Sequence, residues 1–275
     1  MTQVDFCAAA SVDEARALLD EYGEDARIVN GGTALAILMR QDLIRPKLLV
    51  GIGGIVELQG IEEGEDGSVR IGAAVKLRVA ERNELLRSRW PMVAEAIAAV
   101  ATPRIRNMAT VGGGLAHADP AQDPPVAYCA AGASVVVRGK KTRRIPAADF
   151  CTGYYENALE PGEIVTAIEL PAPKPHTGGA FLKFLPRSAE DYGVVTAAAS
   201  VTLGDDGRWI EARLALGACA ERPIVVDATA GRADAAELVR DLVDPIDDVR
   251  GSAAYKREMA VVFARRALLA AAARA

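Results

Sequence analysis

Asn30-Gly31-Gly32-Thr33-Ala34-Leu35 and the run TVGGGLAHADPAQD, Thr110–Asp123, are the two stretches whose reading decides the fold. Each follows a short apolar run that reads as a strand, Ala26–Val29 before the first and Ala109–Val111 before the second. Glycine allows positive φ and lets backbone come close to a ligand. Successive backbone N–H groups in such turns form concavities that hold anions. One turn of this kind is commonplace. Two of them suit a ligand with two phosphates, which points to a dinucleotide held by backbone amides. Thr110, Asp119 and Asp123 add a hydroxyl that can donate to phosphate and carboxylates that can accept from ribose or adenine.

Outward from these turns, Ser11 and Glu14 form a capping box in front of a helix with Ala15, Leu18 and Leu19 on one face. Thr33–Gln41 reads as a helix, Lys47–Ile52 and Val69–Ala73 as strands, and Glu62–Ser68 as a hairpin tip. Pro91 opens a helix to about Val100, and Pro124 or Pro125 opens another to about Ala131. Ala133–Arg138 and Glu163–Leu170 are strands. Pro171-Ala172-Pro173-Lys174-Pro175 continues neither helix nor sheet and reads as a linker. Beyond it lie strands near Ala180–Leu185, Val194–Leu203 and Trp209–Gly217, with Asp205-Asp206-Gly207 as a hairpin turn. Helices at Ala233–Leu242 and about Ser252–Ala271 close the chain. The expected class is α+β with a mixed sheet. The expected division is 1–172, in lobes of about 1–58 and 59–172, followed by 173–275.

The bulk numbers narrow the class of function. The 275 residues are 51% hydrophobic and 25% charged, with a net charge of −5. That balance argues against nucleic acid or an anionic membrane as partner. Cys7, Cys129, Cys151 and Cys219 are scattered, with no CxxC, so neither zinc nor an iron–sulfur cluster is expected here. The N-terminal twenty residues lack a basic stretch before an apolar core, and no uncharged apolar run reaches membrane length. The expected location is the cytoplasm. Val50-Gly51-Ile52-Gly53-Gly54 fails the dinucleotide fingerprint, with Val56 at its sixth position, and no Walker A or GxSxG occurs. His117 lies inside the second motif, whereas His176 falls in the proline linker. Lys183 is a lone lysine in an apolar strand, whose ordinary reading is a surface lysine laying its stem over apolar surface. Tyr192 suits a place over an aromatic ligand or in a core.

Five ordered blocks resemble the FAD-binding medium subunit of the molybdenum hydroxylases, the family of carbon monoxide dehydrogenase medium subunits and xanthine dehydrogenase FAD subunits. They are NGGTALAILMR, ATPRIRNMATVGGGLAHADPAQDPP, FCTGYYENALEPGEIVTAIELP, FLKFLPRSAEDYGVV and GSAAYKREMAVVFARRAL, and the likeness they anchor extends over essentially the whole chain. The resemblance implies an FAD-binding domain of the vanillyl-alcohol-oxidase type, in two parts, followed by a smaller α+β domain. It implies a chain that receives electrons from a small subunit with two [2Fe-2S] clusters, which serves a large molybdenum-pterin subunit. The assembly implied is a dimer of heterotrimers. The backbone of Ile28, Val29, Asn30, Gly31, Gly32, Thr33, Ala34 and Leu35 would hold the pyrophosphate region, together with that of Thr110, Val111, Gly112, Gly113 and Gly114. His117 and Asp123 fall where the family contacts the rest of the dinucleotide. Val165, Lys183 and Tyr192 fall at or near the isoalloxazine. Gly114 stands where asparagine is common, so any side-chain hydrogen bond made there is missing. Two other classes remain compatible with the residues: a stand-alone FAD oxidoreductase of the same fold, and a non-catalytic nucleotide-binding assembly subunit.

Overall fold

The computed structural model describes residues 4–188, 191–229 and 232–275. Strand β1 (Asp5–Ala8), helix α1 (Val12–Tyr22), β2 (Ala26–Val29), α2 (Leu35–Arg40) and β3 (Leu48–Gly51) come first. Their three strands pair in parallel in the order β1-β3-β2, with α1 linking β1 to β2 and α2 linking β2 to β3. Ser11 caps α1 by accepting the Glu14 N–H at 3.1 Å, and the Glu14 carboxylate reaches back to the Ala10 N–H at 2.7 Å.

A second group contains β4 (Ile61–Glu63), β5 (Val69–Gly72), α3 (Leu77–Arg82), α4 (Glu84–Arg89), α5 (Pro91–Ala98), α6 (Pro103–Met108), α7 (Val111–His117) and α8 (Asp123–Ala130). It continues with β6 (Ser134–Arg138), β7 (Thr142–Pro146), α9 (Ala147–Phe150), β8 (Cys151–Gly153), β9 (Glu156–Asn157) and β10 (Ile164–Leu170). Five of these strands form an antiparallel sheet in the order β4-β5-β10-β6-β7, and β8 and β9 make a small hairpin with Tyr155 at its turn.

After the proline-rich stretch, β11 (Thr177–Phe184), β12 (Val195–Leu203), β13 (Trp209–Gly217) and β14 (Ile224–Asp227) form an antiparallel meander. The turn between β12 and β13 contains Gly207 at φ +74°. Helices α10 (Arg232–Leu242) and α11 (Ala253–Ala272) complete the chain. Side chains alternate across a strand. Ala197, Ala199, Val201, Leu214 and Leu216 therefore pack with α10 and α11, whereas Phe181, Ala198 and Ala215 join the core containing α5 and α8. Helices cover this sheet on both faces, which explains the continuous run of small apolar residues along β12.

Two expectations are corrected. No one of these sheets is mixed: one is wholly parallel and the others wholly antiparallel. The strands of the first group are linked through helices and pair in parallel, whereas in the second group β10 inserts between β5 and β6 and pairs antiparallel with both. Ala109–Val111 is also no strand. Thr110 has strand-like dihedrals, φ −125° and ψ 157°, but touches β structure through one bridge to Lys76. Its hydroxyl accepts the Gly113 N–H at 3.3 Å, so it is the N-cap of α7 and the three glycines are helical. Three consecutive glycines disfavour helix. Tertiary packing overrides that cost, with Val111 and Leu115 buried.

Candidate flavin site

The first glycine loop leaves β2 at its carboxyl end. Gly32 takes φ +68°, in the left-handed region that glycine enters without penalty. The loop presses against the approach to the second motif: a Cβ on Gly31 would lie 2.3 Å from the Met108 carbonyl oxygen. Lys76 bridges the same two segments, donating to Met108 O at 3.1 Å and reaching Asn30 Oδ1 at 3.5 Å. Among the described residues, none of the amides of Gly31, Gly32, Thr33, Ala34 and Leu35 donates to a protein acceptor. Buried Asn30 Nδ2 also has no partner. A run of uncommitted amides beside an orphaned side-chain donor fits a phosphate-bearing ligand.

The second motif is built differently. Val111 N–H bonds to Val75 O at 3.0 Å, Gly112 N–H to Ala73 O at 2.9 Å and Gly114 N–H to Thr110 O at 3.0 Å. Gly113 N–H is the one that caps on Thr110. These amides are committed within the protein. The glycines instead permit close approach: a Cβ on Gly112 would meet Ala73 Cβ at 2.5 Å, whereas Gly113 is exposed. Gln122 holds the Gly114 carbonyl at 3.0 Å.

Lys183 is not a surface lysine. Its ammonium donates to Asp123 Oδ2 at 2.8 Å and Ala99 O at 3.0 Å, and the two side chains are only 6% and 5% exposed. Burial pushes the Asp123 carboxyl up to about 6, and the Lys183 charge and hydrogen bond offset part of that effect. Among the described residues, buried Asp123 Oδ1 has no partner, and neither has Thr196 Oγ1, on the residue facing Lys183 across β11 and β12. Unmet buried polar atoms are costly, so a ligand with hydroxyl or N–H donors fits Asp123 Oδ1.

Comparison with known proteins decides which ligand. Residues 2–173 match the family described as "FAD binding domain in molybdopterin dehydrogenase", and residues 180–271 match "CO dehydrogenase flavoprotein C-terminal domain". The chain belongs to the FAD-binding subunit family of the molybdopterin dehydrogenases. It is similar to the carbon monoxide dehydrogenase medium chain of Afipia carboxidovorans, 36% identical over 98% of this chain and 97% of that one. It is also similar to the 6-hydroxypseudooxynicotine dehydrogenase complex subunit alpha of Paenarthrobacter nicotinovorans, 33% identical over 96% and 93%. Among solved structures, reconstituted CO dehydrogenase from Oligotropha carboxidovorans superposes with a TM-score of 0.94 at 34% identity, over 99% of each chain. Quinoline 2-oxidoreductase from Pseudomonas putida 86 gives 0.89 at 30% identity, over 98% and 97%. Like these flavoproteins, the chain is the FAD-binding part of a molybdenum-dependent oxidoreductase.

Within this flavoprotein, the residues singled out from sequence do not all come together. Ile28 to Leu35 and the segment entering Thr110 converge through Gly31 and Lys76. Asp123 and Lys183 meet directly across α8 and β11. Tyr192 lies near them: burial first, then the charges of Asp119, Tyr155 and Asp123, push its phenol up to about 12. His117 contacts the Tyr155 ring at 5.3 Å between centroids, and desolvation pulls its imidazole down. Val165 is a buried core residue of β10, next to a register shift, and makes no polar contact through its side chain. The sequence reading missed Lys76, Tyr155 and Gln122. Tyr155 had a faint signal, an aromatic pair after Gly153 in a turn; its left-handed φ of +58° had none. Cys129, Cys151 and Cys219 are buried thiols pushed up to about 12, 11 and 12, which leaves them unreactive. Among the described residues, no group of three or more His, Cys, Asp or Glu could hold a metal, and no helix is long and apolar enough to cross a membrane.

Proposed function

We propose that this flavoprotein holds one FAD, non-covalently, between the 31–35 loop, Thr110 and the Asp123–Lys183 pair. The observation that carries the reading is the row of uncommitted amides at Gly31 to Leu35, set against the segment that leads into Thr110. Ile28, Val29 and Asn30 deliver that row from β2, and the Thr110–Gly114 helix start offers its exposed Gly113 face to the ligand. Asp123 Oδ1 accepts from the ligand, Lys183 donates to it, and His117, Val165 and Tyr192 line the remainder. Bound FAD supplies the redox chemistry; the protein supplies placement and electrostatic tuning. The reading divides the chain at the proline-rich stretch into 1–172 and 173–275, the first part being of the vanillyl-alcohol-oxidase type. Its partners are a small subunit with two [2Fe-2S] clusters and a large molybdenum-pterin subunit, in a cytoplasmic dimer of heterotrimers. The relatives named for a dehydrogenase medium chain or a complex subunit support this assembly.

The test uses the complex co-purified with this chain. Acid precipitation should release one FAD per chain into the supernatant, and anaerobic substrate should bleach the flavin only while the partner subunits are present. Flavin retained by the pellet, FMN in place of FAD, or rapid bleaching of the chain by itself would each overturn the proposal.

A further inference from the structure

The turn between α5 and α6 directs three successive carbonyls at buried cations. Ala99 O accepts from Lys183 Nζ at 3.0 Å, Val100 O from Arg106 Nη1 at 2.6 Å, and Ala101 O from the same nitrogen at 3.0 Å. Arg106 Nε donates to Glu81, and Arg78 closes on the same carboxylate. The Arg106 and Glu81 side chains are 9% and 8% exposed. Ala101 stands at φ +41°, a conformation that a residue with a Cβ keeps only where its surroundings over-determine it.

We infer that Arg106 is a positioning residue for the flavin site: its guanidinium fixes the 99–101 turn, and through the Ala99 carbonyl it fixes where the Lys183 ammonium points. The inference rests on the assignment of Lys183 and Asp123 to the flavin. An ammonium has three hydrogens in tetrahedral array. Two of those on Lys183 are directed by Asp123 Oδ2 and Ala99 O, so the direction of the third follows. Among the described residues that third hydrogen meets no protein acceptor, and Asp123 Oδ1 meets no protein donor. These two atoms are what the pair offers a ligand. Asp123 sits on the first residue of α8, inside a packed core, and cannot drift. The Ala99 carbonyl is on a turn, and a turn with a left-handed alanine needs an external tie. Arg106 is that tie, because a rigid guanidinium fork can hold a carboxylate and two carbonyls together. The chain Arg78–Glu81–Arg106–turn–Lys183–Asp123 thus runs from α3 through β11 to α8.

The experiment compares the co-purified complex with its Arg106→Gln and Arg106→Lys variants, each alone and combined with Lys183→Met. The readouts are the FAD dissociation constant and the midpoint potential of the bound flavin. Arg106→Gln should weaken oxidised and reduced FAD unequally. The ratio of the two affinities should change about tenfold, or roughly 30 mV for a two-electron couple. Arg106→Lys keeps the charge beside Glu81 but loses the fork, and should move the potential in the same direction by less. In the Lys183→Met background either Arg106 change should alter the affinity ratio less than twofold. Where Arg106→Gln does not assemble, the lysine variant decides the matter. A wild-type potential in the variants overturns the inference, and so does a shift that persists undiminished without Lys183. A wild-type complex that carries no FAD fails the functional reading instead.

Discussion

At the scale of single residues, Asp123 is the group whose chemistry has the widest consequence. Its carboxyl is raised to about 6 chiefly by burial. In the proposed site it serves the ligand as an ionised acceptor; once protonated it no longer would. FAD affinity should therefore fall as pH drops through about 6, by roughly tenfold between pH 7 and pH 5. The apo chain should move the other way. Between the ordinary value of 3.8 and about 6 the folded state holds more protons than the unfolded state, so apo stability rises as pH falls through that window. Asp123→Asn should remove the pH dependence and weaken FAD by about tenfold to a hundredfold at pH 7, the scale of a lost charge-assisted hydrogen bond, roughly 1.5–3 kcal/mol. Equilibrium dialysis from pH 5 to 8 checks both statements, and a parallel slope for the two proteins would contradict them. Asp123 was legible in sequence because it lies inside a recognisable motif. The burial of Lys183 was not: a lysine between Leu182 and Phe184 is compatible with either face of a strand, and only the fold brings Ala99 and Asp123 to it.

At the scale of elements, the two glycine motifs have opposite construction. The first leaves its amides open; the second spends them on Ala73, Val75 and Thr110. Their substitutions should separate accordingly. Gly31→Ala drives a Cβ into the Met108 carbonyl, forces the two segments apart and should abolish FAD retention. Gly112→Ala meets Ala73 and should cost stability first, about 1–3 kcal/mol for an overpacked contact, or roughly 2–12 °C in melting temperature for a chain of this size. Gly113→Ala meets only the Thr110 hydroxyl and should leave the apo melting temperature within a few degrees of wild type while lowering flavin content. Melting curves of apo protein beside flavin-to-protein ratios sort the three, and a Gly31→Ala protein with full flavin would refute the first. The turn residues and helix-opening prolines made most boundaries legible. The helical state of Gly112–Gly114 was not, because glycine propensity argues against it and only the Thr110 cap and the docking on Ala73 reveal it. The short elements α3, α4, α6 and β1 carried too little periodicity to be seen.

At the scale of the whole molecule, the proline-rich stretch divides the sequence more sharply than the packing does. Phe181, Ala198 and Ala215 come from beyond it, yet they belong to the core built by α5, α8 and the five-stranded sheet. Arg274, near the end of the chain, reaches Glu95 of α5 at 2.9 Å and Gly179 O at 2.9 Å. A chain ending at residue 172 should therefore lose the apolar cover of α5 and α8, along with Lys183. It should purify without FAD and bind a dye for exposed apolar surface; a soluble, flavin-loaded fragment would count against this account. The α+β class and the late meander followed from the alternation of apolar runs and turns. The separation into one parallel and two large antiparallel sheets did not, because strand partners far apart in sequence, such as β5 and β10, leave no local mark.

The shared core also sets an order of events on the ribosome. Chains emerge N-terminus first at about 5–20 residues per second. The last hundred or so residues, which carry β11 to β14 and the final helices, therefore arrive roughly 5–20 s after the first part is already outside the exit tunnel. For that interval the faces of α5 and α8 that meet β11, β12 and β13 are uncovered. Synthesis of this protein thus includes a waiting period in which a nascent apolar face stands open to water and to other apolar surfaces.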